Sequence, residues 1–203
     1  MPNGKNLLEN EDKAWAAFKT PLDKDSLLVF CQDVERLLRI NPYLVFKKWE
    51  KIDARRYRFH AVNHSQIHAF NIETDLQILT TSNGLEIHYA LGLKSKTIFA
   101  VEATPEGSKL TITEKYKAME ADEHLSRLHE VDKSLTKWAE EIQDYLVYWQ
   151  RWSWFIPWRL YMQRIWQPMK PAARRITYML LWISIIEITL ISLGVIIYFV
   201  EYK

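Results

Sequence analysis

Three histidines, His60, His64 and His68, recur at four-residue steps, the spacing that sets two metal ligands on one face of a helix. The stretch that carries them reads as strand and loop, where a four-residue step gathers nothing in that way, so no metal site is expected. His129-Glu130 opens like a zinc-hydrolase motif, but Lys133 stands where the second histidine belongs. The sequence has no G-x-S-x-G elbow, no P-loop and no dinucleotide-binding glycine run. Cys31 is the one cysteine, which excludes a disulfide framework and any multi-cysteine metal centre, and it falls within a helical stretch as a buried residue. No catalytic residue, metal or cofactor is therefore expected, and a cyclase or hydrolase would need an acid–base constellation that does not stand out.

Two carboxylates are placed unusually. Glu114 shares strand parity with apolar neighbours, as Thr74 does, and would supply a polar point inside a sheet. Glu187 sits near the middle of ITYMLLWISIIEITLISLGVIIYFV, a run of 25 residues from Ile176 to Val200 with no other formal charge. As a helix that run is roughly 37 Å long, enough to cross a hydrocarbon layer of about 30 Å. A carboxylate at its centre costs about 2.5–3.5 kcal/mol on insertion scales. Thr177, Ser184, Glu187, Ile191, Gly194 and Tyr198 fall on one side of this helix, and polar and small groups on a shared stripe are how spanning helices meet partners. The stripe is read as the face for a transmembrane protein partner or for a homo-oligomer.

Charge locates the membrane side. Of 203 residues, the first 150 carry a net −3, residues 151–175 a net +6 with no acid, and the remainder a net −1. The basic flank precedes the span, so the positive-inside rule puts the bulk of the chain on the cytoplasmic face, with a single-pass C-terminal anchor. No apolar leader is visible in MPNGKNLLENEDK. The same segment concentrates aromatics: six of the nine tryptophans lie between Trp149 and Trp182. Trp152, Trp154, Phe155, Trp158, Tyr161 and Trp166, with Arg174 and Arg175, are the expected membrane-interface residues, carried on a short amphipathic helix that Pro168 and Pro171 end. Membrane lipids are the expected surface; nucleic acid is not a partner, because the domain without its basic neck is acidic.

The elements that position these groups follow from periodicity. Residues 13–20 read as a strand. A helical stretch follows Asp23, with Leu27, Phe30, Val34, Leu37 and Leu38 at helical spacing, and Asn41-Pro42 ends it. Strand-like runs then occupy 43–52 and 55–62, with Phe70, Ile72, Leu76 and Ile78 alternating in the next. Asn83-Gly84 signals a hairpin, after which Leu85, Ile87, Tyr89 and Leu91 alternate with polar neighbours. Phe99 and Val101, then Leu110, Ile112 and Glu114, continue the pattern. Residues 122–149 close it as a long amphipathic helix, its apolar face including Leu125, Leu128, Val131, Leu135, Trp138, Ile142 and Tyr145.

The segment TPLDKDSLLVFCQDVERLLRINPYLVFKKWEKI, with the order of the strands and the final helix, resembles the START and birch-pollen-allergen-like (SRPBCC) superfamily. The resemblance covers about residues 10–150. It implies an α+β helix-grip domain, a helix pair after the first strand, and a cavity between sheet and helix for a lipid, sterol, quinone, polyketide or other apolar molecule. The whole chain is therefore read as a START-like grip at 10–150, a basic aromatic interfacial segment at 151–175 and a transmembrane helix at 176–200. Phe70, Ile72, Leu76, Ile78, Leu85, Ile87, Tyr89, Leu91, Phe99, Val101, Leu110, Ile112 and Glu114 are the expected cavity lining. The expected function is to hold or present a hydrophobic ligand at the membrane; the alternative is a non-catalytic accessory subunit of a larger membrane complex.

Overall fold

A computed structural model describes residues 13–117 and 132–202. Strand β1 (Lys13–Thr20) leads into helices α1 (Lys24–Cys31) and α2 (Val34–Ile40), and then six strands follow: β2 (Leu44–Lys51), β3 (Arg56–Asn63), β4 (Phe70–Thr81), β5 (Gly84–Tyr89), β6 (Lys94–Thr104) and β7 (Gly107–Tyr116). They form one seven-stranded sheet in the order β1-β7-β6-β5-β4-β3-β2, antiparallel throughout. The two helices carry the chain from one sheet edge to the other. Helix α3 (Leu135–Trp152) lies against the sheet, near β1, β7 and α2. A curved antiparallel sheet gripping a long helix is the helix-grip fold.

The helical stretch after Asp23 is two helices, and two aspartates explain why. The Asp23 carboxylate accepts from Ser26 N at 2.9 Å and starts α1; Asp33 accepts from Arg36 N at 3.1 Å and starts α2. Each satisfies an amide that a helix start leaves unpaired. Asn41 then ends α2 by accepting from Tyr43 N at 3.0 Å. At the predicted hairpin, a side chain on Gly84 would stand 1.8 Å from the Phe99 carbonyl oxygen, so only glycine lets β5 approach β6 there.

The final helix differs from expectation at its start. Residues 118–131, including Leu125, Leu128 and Val131, lie outside the described residues, and the helix begins at Leu135. Asp132, Lys133 and Ser134 are non-helical. Asp132 Oδ1 accepts from Ser134 N at 2.9 Å, a local side-chain bond of the kind that competes with helix. From there the apolar face is inward as expected: Trp138, Ile142, Tyr145 and Leu146 are buried. Trp138 meets Phe99 edge-on at 5.5 Å and donates its indole N–H to Leu37 O at 2.8 Å, joining sheet, α2 and α3.

Beyond α3 the chain makes a neck, α4 (Ile156–Tyr161) continuing through a π-helical turn (Met162–Trp166), and then the 31-residue helix α5 (Pro171–Glu201). Helix α5 is long and apolar enough to cross a membrane, and its residues are exposed from Tyr178 onward. Thr189 and Ser192 donate their hydroxyls to Ile185 O and Ile188 O of the same helix, each at 2.8 Å.

Candidate functional site

The inner face of the grip is mostly filled. Leu76, Ile78, Leu85, Ile87, Phe99, Val101, Leu110 and Ile112, expected to line a cavity, are instead packed core, none more than 6% exposed. They form one buried cluster with residues of α1, α2 and α3. A cavity of about 130 Å³ remains at one end, where α3 starts and β4 begins. Of the expected lining, Phe70, Ile72, Tyr89 and Leu91 border it. Leu38, Leu44, Phe59, Leu93 and Trp138 supply the rest of the apolar wall, and Asn41, Asn71, Glu73, Lys94, Tyr116 and Asp132 the polar part. Gly92, at φ +97°, turns the chain at this end in a backbone conformation other residues rarely take. Thr74, buried, steadies the same loop by accepting from Leu91 N at 2.9 Å.

The polar wall is a buried ion cluster. Lys94 Nζ donates to Glu114 Oε1 at 2.5 Å and to Asp132 Oδ2 at 2.9 Å. Tyr116 donates its hydroxyl to Glu114 Oε2 at 2.9 Å. Asn41 Nδ2 donates to Ser134 Oγ at 2.7 Å, fastening α2 to the turn that carries Asp132. Tyr89 shares a 3.1 Å hydrogen bond with Thr97 Oγ1 on the neighbouring strand. Glu114 is thus buried, as its parity suggested, but it stands behind Lys94 as that residue's counter-ion and does not border the cavity.

Burial and pairing set the electrostatics. Burial raises the Glu114 carboxyl above the ordinary range despite Lys94. Burial pushes Asp132 the same way, but the Lys94 ammonium and the bond from Ser134 N outweigh it and hold that carboxyl well below its usual value. For Lys94, burial favours the neutral amine, and the two carboxylates together more than reverse it. Tyr116 is pushed upward by burial and by Glu114.

Lys94 was missed because of a bulge. Along β6, Thr97, Phe99 and Val101 face inward, so strict alternation would turn residue 95 in and Lys94 out. The register with β7 shifts between Lys94 and Lys96, leaving Ser95 as the extra residue, its hydroxyl donating to Lys115 O at 3.0 Å. The slip re-aims Lys94 into the grip.

The neck was read as interfacial, and the structure places its residues on two sides. Trp152, Trp154 and Phe155 face outward. Trp158, Tyr161 and Trp166 pack against the core, and Met162 is buried. Tyr145 stacks on Trp149 at 5.9 Å, Trp166 lies 5.4 Å from Tyr145, and Trp158 lies 5.7 Å from Trp149. The π turn adds a residue to the helical path, and Trp166 rather than Ile165 reaches Tyr145; Ile165 is exposed. Arg175 is exposed, whereas Arg174 is half-buried. It donates to Arg39 O at 2.8 Å, Gln167 O at 2.9 Å and Trp166 O at 3.0 Å, and its guanidinium covers the Trp166 ring at 3.9 Å. This pins the start of α5 to the end of α2.

Other candidates stay apart from the cavity. His60 is on β3 with its ring 3.4 Å from Asn71 Oδ1, and His64 and His68 lie in the exposed loop after β3. Cys31 is buried, and burial pushes its thiol up to about 12. Thr177, Ser184, Glu187, Ile191, Gly194 and Tyr198 all lie on α5.

No protein-family model and no curated protein sequence matches the chain. Solved structures are similar in chain path at low identity. A protein from Thermus thermophilus matches at TM-score 0.49 and 11% identity, over 67% of this chain and 97% of its own. A START superfamily protein from Mycobacterium smegmatis matches at 0.41 and 12%, over 64% and 98%. A STAR-related lipid transfer protein from Xanthomonas axonopodis matches at 0.42 and 8%, over 66% and 85%. The chain has the helix-grip architecture, read from its own sheet order and closing helix.

Proposed function

We propose that this protein is a membrane-anchored, non-catalytic binding module that holds or presents an apolar or amphipathic molecule, of lipid, quinone, sterol-like or polyketide-like character, at the cytoplasmic face of a bilayer. The cavity at the start of α3 carries this reading. It is walled by Leu38, Phe59, Ile72 and Trp138 and sits in the same chain as an exposed apolar helix. Its 130 Å³ is below the roughly 300–1,000 Å³ of sites that enclose a drug-sized ligand. It therefore suits one end of a larger molecule, with the remainder outside. The basic, aromatic neck would hold this end of the chain at anionic headgroups.

The test uses the full chain in lipid discs with a polarity-sensitive apolar dye. Saturable, blue-shifted binding by wild type, lost in Ile72→Trp, is the expected result, because Ile72 borders the cavity and is partly exposed. Equal dye uptake by the two proteins, or none by either, would overturn the reading.

A second reading rests on Glu187. Among the described residues it has no hydrogen-bond partner, whereas its neighbours Thr189 and Ser192 are satisfied within their own helix. An unpaired carboxyl at mid-membrane is costly and is relieved by a helix that offers a donor. The stripe of Thr177, Ser184, Glu187, Ile191, Gly194 and Tyr198 is then the face of an accessory subunit toward a transmembrane partner or a second copy.

A further inference from the structure

Resting on the binding reading above, we infer that the cavity selects a neutral, ring-sized apolar group bearing a hydroxyl, a phenol-like end, and rejects carboxylate ligands. Size gives the first part. A cavity of 130 Å³ is of the order of the ~150 Å³ apolar cavity that holds one benzene ring. The walls offer Phe59 and Trp138 as aromatic faces with Leu38 and Ile72 beside them.

The polar wall gives the second part. Lys94 has three N–H donors, of which Glu114 and Asp132 take two. Among the described residues no acceptor takes the third, which can donate to an oxygen in the cavity that Lys94 borders. Asp132 accepts from Ser134 N at Oδ1 and from Lys94 Nζ at Oδ2, and the Asn63 amide also lies close enough to help lower its carboxyl; with about four acceptor positions, a carboxylate so placed still has room for a hydroxyl donor. A hydroxyl satisfies both neighbours at once, accepting from Lys94 and donating to Asp132. An ether or ketone oxygen satisfies only Lys94. A pure hydrocarbon satisfies neither and strips both of water.

Charge excludes the anion. The residues that border the cavity include one cation, Lys94, against the acids Asp132 and Glu73, with Glu114 directly behind. The positive charge is already engaged by two carboxyls at 2.5 and 2.9 Å. A ligand carboxylate would leave water to enter a site with no net positive charge and would face Asp132 at close range.

The experiment needs no change to the cluster. The full chain, labelled with 5-fluorotryptophan and held in lipid discs, is titrated with benzene, phenol and benzoate at matched free concentrations. The readout is the fluorine resonance of Trp138, which borders the cavity and is assigned through Trp138→Phe. Phenol is expected to saturate the Trp138 shift at about tenfold lower concentration than benzene, the lower end of what a charge-assisted hydrogen bond supplies. Benzoate is expected to give no saturable shift. Benzene binding as tightly as phenol, or benzoate matching it, would overturn the selectivity. Silence toward all three while the apolar dye still distinguishes wild type from Ile72→Trp would overturn this ligand class and leave the binding reading standing. Failure of the dye as well removes both.

Discussion

Lys94 holds two buried carboxyls, and its removal tests how the cluster is balanced. Lys94→Met leaves Glu114 and Asp132 without their cation, and breaking a buried pair in this way costs about 3–5 kcal/mol. Glu114→Gln should be much milder than Asp132→Asn. Burial already biases Glu114 toward its neutral form, whereas Asp132 is held charged. Chemical denaturation of the three variants checks that order. The pH dependence has a definite sign. Lys94 binds its proton more tightly folded than unfolded, so its stabilisation is complete below the usual lysine value of 10.5 and drains away as pH rises past it. Asp132 is the reverse: its contribution is present above the usual 3.8 and is lost as pH falls below. Glu114, shifted up, acts in the opposite sense and in a higher window: its contribution grows as pH falls toward the usual 4.5, before the Asp132 limb begins. In wild type the unfolding midpoint should fall at alkaline pH, and Lys94→Met should make that fall shallower above pH 10.5 without removing it, because Cys31, Tyr89, Tyr116 and Tyr145 are also shifted up. Cys31 supplies a control: burial disfavours its thiolate, so alkylation should follow global unfolding only.

At the scale of elements, Arg174 decides whether the neck and α5 move with the grip. It caps carbonyls from α2, the π turn and the residue after it. Arg174→Gln should weaken that junction by about 1.5–3 kcal/mol, the range for hydrogen bonds to a charged group. Hydrogen exchange should quicken at residues 158–167 and stay unchanged in β5 to β7; uniform exchange in the two proteins would show that the pin carries no load. Much of this layer was legible beforehand. Strand alternation placed Leu76, Ile87, Phe99 and Ile112 inward, and Asn83-Gly84 marked its turn, because burial on one face and backbone space at a glycine leave direct signatures. Three features were hidden because each depends on a partner far along the chain. The Ser95 bulge appears only against Lys115 and Tyr116. The start of α3 is set by Asp132, whose other ligand is Lys94. The π turn at Met162–Trp166 is settled by Tyr145 and Arg174. Periodicity also separates inside from outside without telling cavity wall from packed core, so the expected lining was right in parity and too long.

For the whole molecule, the account joins a small cavity to a membrane helix. Deleting residues 176–203 should release the protein from membranes under high salt and carbonate while the grip stays folded, since among the described residues the core draws on nothing beyond Trp166. Glu187→Leu should keep the protein in the bilayer and abolish crosslinks through α5, whereas Glu187→Gln, which still donates and accepts, should retain them. Unchanged crosslinking in Glu187→Leu would remove the case for a partner face. The central claim is that the cavity is occupied from the membrane, and it is tested most directly by small-molecule mass spectrometry of the full chain purified in mild detergent, wild type beside Ile72→Trp. The account predicts an apolar or amphipathic species near one per chain in wild type that is absent from the variant. The same molecules in equal amount from both proteins would contradict it.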